Sequence, residues 1–201
     1  IKPIEVIILI IVSLCIFLYS ARQLAPICLK LTPICLFFLL FYPYTKRFTF
    51  LCHYFLGVAL AMAPAGGYIA VTGELPFGII LLSGGVCLWI GSFDVIYGSQ
   101  DRQFDLDHKL HSMATQFGVA NAHKIAAFFH FISILCFIGA GIYFDLSFIY
   151  YIGVLIAILT LIYQHSLITP YDFSRLTQVY FMRNGIVSIV IFVFTLIDIL
   201  S

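Results

Sequence analysis

Charge is what this sequence has least of. Only 9% of its 201 residues are Asp, Glu, Lys or Arg, against about 25% in an ordinary soluble domain, and no aspartate occurs before Asp94. A surface that water would tolerate cannot be built from so few charges, which excludes the soluble enzyme and binding-module classes. No basic run is long enough to grip a nucleic acid, and a net charge of +1 supplies no field to attract one. Period-2 alternation is missing, which argues against a β-barrel. Paired cysteines are missing too: Cys15, Cys28, Cys35, Cys52, Cys87 and Cys136 fall singly inside apolar stretches and read as small core or lipid-facing residues, neither a disulfide framework nor a zinc site. There is no low-complexity segment and no convincing repeat. Neither a Met nor a cleavable leader precedes the first apolar stretch, so the native start is expected upstream of Ile1.

What is present is apolar. Hydrophobic residues make up 63% of the chain and its mean hydropathy is +1.11. Seven stretches, 3–19, 24–43, 49–72, 76–99, 120–143, 147–166 and 177–199, each approach the roughly 20 residues a spanning helix needs. The fold class expected is therefore an all-α, multi-spanning transmembrane bundle. If the stretches alternate across the bilayer, Lys2, Lys46, Arg47, Arg102, Lys109, Lys124, Arg175 and Arg183 fall on one side and only Arg22 and Lys30 on the other. By the positive-inside rule the crowded side is cytoplasmic. The opposite connections, Ser20–Gln23, Gly73–Pro76 and Phe144–Ser147, are too short to hold a domain. Residues 100–124 form the longest polar stretch, long enough to cap a cavity mouth. Pro33, Pro43, Pro64 and Gly66-Gly67 interrupt apolar stretches, which a bundle with an interior chamber accommodates.

Two polar constellations lie at the cytoplasmic ends. Asp94, Asp101 and Asp105 fall within roughly 40° of one another on a continued helix, with Tyr97 about 60° to one side. Alone, Asp101 and Asp105 could merely mark a solvated helix end, but Asp94 lies two turns deeper, where a carboxylate is expensive without a task. Asp101 and Asp105 are spaced by one turn, which suits two carboxylates sharing a divalent cation or the metal-bound oxygens of a diphosphate, and oxygen ligands favour Mg²⁺. The second constellation is Tyr42-Pro43-Tyr44-Thr45-Lys46-Arg47, where Lys46 could neutralise a phosphate and Tyr42 lies one turn away. It also reads as an aromatic belt with basic anchors. Of the histidines, His108, His111 and His123 sit too near the interface for haem, and His130, His53 and His165 receive no role. The 21 Phe and 12 Tyr could line a cavity for a polyisoprenoid and a carbocation.

These residues resemble the UbiA family of membrane prenyltransferases. The family's second signature, D-x-x-Y-x-x-x-D-x-x-x-D, is matched by Asp94, Tyr97, Asp101 and Asp105. Leu110-His111-Ser112 and Gln116-Phe117-Gly118 are similar to the continuation G-L-H-S-I-P-x-x-F-G of one branch, with Lys109 where the glycine is usual. Tyr42 to Thr49 is similar to Y-P-x-x-K-R-x-T of the 4-hydroxybenzoate branch, and Phe181-Met182-Arg183-Asn184 to the F-x-x-N before the last helix. The first signature, N-x-x-x-D-x-x-x-D, is not in this sequence. With nine helices expected of the family, the resemblance implies that residues 1–201 are one transmembrane prenyltransferase domain lacking its first two helices, inactive alone. It further implies transfer of a polyprenyl group from polyprenyl diphosphate to an aromatic acid acceptor such as 4-hydroxybenzoate in ubiquinone or menaquinone biosynthesis, at the inner membrane with the active-site loops cytoplasmic. Asp101 and Asp105 would hold Mg²⁺ and, with Lys46, the diphosphate. Tyr42 would help position it, and Asp94 and Tyr97 would serve the cation or the acceptor. A proton- or cation-coupled transporter, or an inactive membrane subunit, stays open as an alternative.

Overall fold

Pro3 and Pro26 each stand at the first position of a helix, where a missing N–H costs nothing. In the computed structural model, which describes residues 2–169, 172–173 and 176–201 and only the backbone at 176–181 and 183, those helices are α1 (Pro3–Arg22) and α2 (Pro26–Phe41). The chain then passes through a 3₁₀ turn, Tyr42–Arg47, into α3 (Cys52–Thr72), and Gly73 in the left-handed region (φ 76°) ends that helix. Next come α4 (Phe77–Gly98), a 3₁₀ turn Ser99–Asp101, the short helices α5 (Arg102–Asp107) and α6 (Met113–Phe117), then α7 (Val119–Tyr143), α8 (Phe148–Leu167) and α9 (Leu176–Leu200). Six helical stretches are long and apolar enough to cross a membrane, and the described apolar part of the seventh runs over 184–200. The seven expected stretches are thus found within a few residues of their expected bounds. Ser20 to Arg22 belong to α1, not to the connection after it.

The largest difference lies in 100–124. It is not a loop: α5 and α6 fold within it, and Val119 to Lys124 already belong to α7. Ser112 starts α6 by accepting the Thr115 N–H (3.2 Å) while its own N–H donates to Thr115 Oγ1 (2.8 Å), a reciprocal cap. Gly118 ends α6 with φ 77°, which only glycine adopts freely. Lys109 also has a positive φ, 54°, at the position where the resembling motif carries glycine.

α4 is the centre of the bundle, packing most extensively against α3 and α7. Small residues permit the approach: a Cβ on Gly57 of α3 would collide with the Cys87 carbonyl of α4. A second layer forms where Trp89, Phe137, Tyr150, Val154, Leu161 and Val187 bury together between α4, α7, α8 and α9. Asp198 near the end of α9 accepts the N–H groups of Ser147 (2.9 Å) and Tyr150 (3.1 Å), capping α8 from its neighbour. The expected chamber exists, but as an apolar cavity of about 470 Å³ between α1, α2 and α3, lined by Gly66 and Gly67 and by none of the carboxylates.

Candidate active site

The 3₁₀ turn after α2 and the short helices after α4 meet at one end of the bundle. Their backbones are tied directly: the His111 N–H donates to the Lys46 carbonyl (2.6 Å), and Cys52 Sγ to the His111 carbonyl (3.5 Å). Within the turn, Thr45 is buried with its hydroxyl donating to the Tyr42 carbonyl, so the segment leading to Lys46 is fixed from beneath. Arg102 Nε donates to the Ala114 carbonyl (3.0 Å) and holds α5 to α6.

This frame carries an ion pair. Lys46 Nζ donates to both oxygens of Asp105, at 3.0 and 2.9 Å. The two ends are unequal, since the Asp105 side chain is 1% exposed and that of Lys46 30%. A buried carboxylate without a partner costs several kcal/mol, so the burial of Asp105 depends on Lys46 reaching it. One turn earlier Asp101 is exposed, with no side-chain hydrogen bond among the described residues. The stripe expected of a continuous helix is bent, because α4 gives way to a 3₁₀ turn at Ser99.

Beside the ion pair is a cavity of about 120 Å³ lined by Tyr42, Pro43, Lys46, Cys52, His53, Leu56 and Asp94. Tyr42, Lys46 and Asp94 thus line one cavity. Tyr97 is not among the lining residues; its ring stacks on Phe93 (6.2 Å, 14°) against the core formed by Val95, Ile96 and Ala122. His53 is the residue that sequence reasoning missed. Its Nδ1 lies 2.7 Å from Asp94 Oδ2, and its side chain is 2% exposed against 27% for Asp94. A histidine in the first turn of an apolar helix, at the same end as Asp94, was the available signal. The ring is pressed against Gly98, where a Cβ would lie 2.8 Å from His53 Cε1.

The remaining candidates sit elsewhere. His130 and His165 hydrogen-bond each other through Nδ1 and Nε2 at 2.8 Å, unlike two ligands facing across a porphyrin. Asn184 accepts from Trp89 Nε1 (3.2 Å) inside the second layer, while the side chains of Phe181 and Arg183, and all of Arg175, lie outside the described residues. No group of three or more His, Cys, Asp or Glu side chains suited to a metal occurs among the described residues. Mg²⁺, however, is commonly held by one or two carboxylates together with substrate phosphates and water. Asp101 and Asp105 fit that pattern in donor type.

Spanning helices that close over a cation–carboxylate pair and a small cavity define a polytopic membrane protein with a cluster of charged side chains at one end. The chain belongs to the UbiA prenyltransferase family, whose pattern it matches over residues 1–186. It is 30% identical over 170 residues to a 4-hydroxybenzoate octaprenyltransferase of Nitrosospira multiformis, covering 85% of this chain and 58% of that protein. To the protein of the same name from Shewanella sediminis it is 32% identical over 146 residues, covering 73% and 51%. The chain thus spans little more than half the length of these relatives. A solved UbiA homologue from Aeropyrum pernix K1, in its apo form, superimposes with a TM-score of 0.87 at 26% identity, covering 99% of this chain and 74% of that one.

Proposed function

We propose that the protein transfers a polyprenyl group from its diphosphate to an aromatic acid acceptor, 4-hydroxybenzoate or a hydroxynaphthoate, at a bacterial inner membrane with residues 42–47 and 99–118 on the cytoplasmic side. The observation that carries this reading is the Lys46–Asp105 pair, which joins two distant motifs at the mouth of the cavity containing Asp94. Kinship with enzymes named for 4-hydroxybenzoate supports the acceptor class.

Lys46 is a compact cation on a flexible stem, partly exposed, and can turn from Asp105 to an incoming diphosphate. Asp105 is thereby released and, with Asp101, can hold Mg²⁺. When bound, Mg²⁺ neutralises charge on the departing diphosphate. Tyr42, beside Lys46 in the cavity wall, positions the diphosphate by its hydroxyl. The allylic cation left behind is attacked by the electron-rich ring, and Asp94, with Tyr97 on the next turn, orients that ring. Apolar walls around the cation exclude water that would otherwise trap it.

The test is prenyl transfer in membranes containing the protein expressed from its full reading frame. Radiolabelled acceptor should become lipid-soluble with polyprenyl diphosphate and Mg²⁺ present, and the conversion should stop on chelation with EDTA. Asp101→Ala should lower turnover by about 10²–10³, the usual cost of losing a key electrostatic contact. Turnover indifferent to both would overturn the metal–diphosphate assignment.

A further inference from the structure

We propose that His53 is a positioning residue for proton removal from the acceptor ring: it holds one oxygen of Asp94 so that the other faces the cavity as the base. This rests on the prenyl-transfer reading of the same cavity. A carboxylate that serves as a base can only accept a hydrogen bond, so in this role the 2.7 Å contact is one that His53 Nδ1 donates to Asp94 Oδ2. The histidine itself cannot move. Its side chain is buried at the start of α3, the surface of Gly98 closes on its ring, and the neighbouring Cys52 is tied to the His111 carbonyl. Asp94, in contrast, is partly exposed and lines the cavity, and its Oδ1 has no hydrogen bond among the described residues. A fixed donor on one oxygen and open space at the other give a carboxylate of defined orientation, as a general base requires.

The chemistry balances. The bond between the allylic carbon and its diphosphate oxygen breaks, and the electron pair leaves with the diphosphate. A ring carbon of the acceptor then forms the new bond to the allylic carbon. The C–H bond at that ring carbon breaks, its electron pair restores aromaticity, and the proton passes to Asp94 Oδ1. Lys46, also in the cavity wall, is engaged by Asp105 or the diphosphate and does not compete for this proton.

The test compares three substitutions at His53 in the full-reading-frame protein, with ordinary and ring-deuterated acceptor. His53→Asn puts an amide nitrogen the same number of bonds from Cα as Nδ1, and His53→Gln puts it one bond further. His53→Ala should lower kcat by about 10²-fold, within the range of general-base contributions, and leave KM for polyprenyl diphosphate unchanged. Turnover by His53→Ala should slow further with ring-deuterated acceptor, whereas the wild type should not respond to it. His53→Asn should recover most of kcat and lose the isotope response; His53→Gln should not. If His53→Ala fails to accumulate, the Asn and Gln variants decide the matter on the same criteria. Equal kcat in Asn and Gln variants, or loss of kcat with no isotope response, overturns the role of His53. A wild type that transfers no prenyl group overturns the underlying reading as well.

Discussion

At the residue scale, the ion pair between Lys46 and Asp105 makes an asymmetric prediction. Lys46→Met strands a carboxylate that is 1% exposed, and losing the partner of a buried charge costs about 3 kcal/mol. Asp105→Asn leaves an ammonium that can swing to water along its own stem, at about 1 kcal/mol. Denaturation midpoints in detergent should therefore fall further for Lys46→Met, and equal losses would contradict the burial difference. Kinetically, Lys46→Met should raise KM for polyprenyl diphosphate and spare that for the aromatic acid, with Lys46→Arg a partial rescue because the two cations differ in shape and hydration. Asp94 and Lys46 were legible in the sequence because charge stands out against an apolar background. His53 was not. A lone histidine on an apolar helix reads as core, and its partner lies 41 positions away, a separation that no local periodicity encodes.

At the scale of elements, the long helices were legible because their apolar runs match the thickness of a bilayer, whereas α5 and α6 were not. Those two are six and five residues long, too short for a 3.6-residue pattern to declare itself, and they exist through caps and tertiary bonds such as Arg102 to Ala114. Extrapolating one helix past Gly98 likewise ignores the 3₁₀ turn that follows, which moves Asp101 and Asp105 off the line that α4 sets for Asp94. The crossing of α3 and α4 offers a sharper test. Gly57→Ala puts a methyl group against the Cys87 carbonyl carbon at 3.1 Å and Sγ at 3.3 Å, and such overpacking typically costs about 1–3 kcal/mol. Because His53 lies one turn before Gly57, separation of the helices should also loosen its bond to Asp94 and reduce turnover. Gly84→Ala is the control: nothing lies within 4 Å of its added carbon, so stability and turnover should match the wild type. A Gly57→Ala protein as stable as the control would show that this crossing has slack.

At the scale of the whole molecule, the proposed orientation is open to direct labelling. In a cysteine-free background, a cysteine at exposed Glu74 should react with a membrane-impermeant maleimide added to spheroplasts, and one at exposed Asp107 only after lysis. The reverse pattern would place the site on the far side and remove it from cytoplasmic diphosphates. The site is also divided in time. Lys46 precedes Asp105 by 59 residues, and a ribosome adding roughly 5–20 residues per second leaves the ammonium several seconds at the membrane surface while α3 and α4 are made. During that interval its counter-charge does not exist. The salt bridge is therefore a late product of assembly, which cannot close until α3, α4 and the turn that follows have been made, and its presence records that they have arrived.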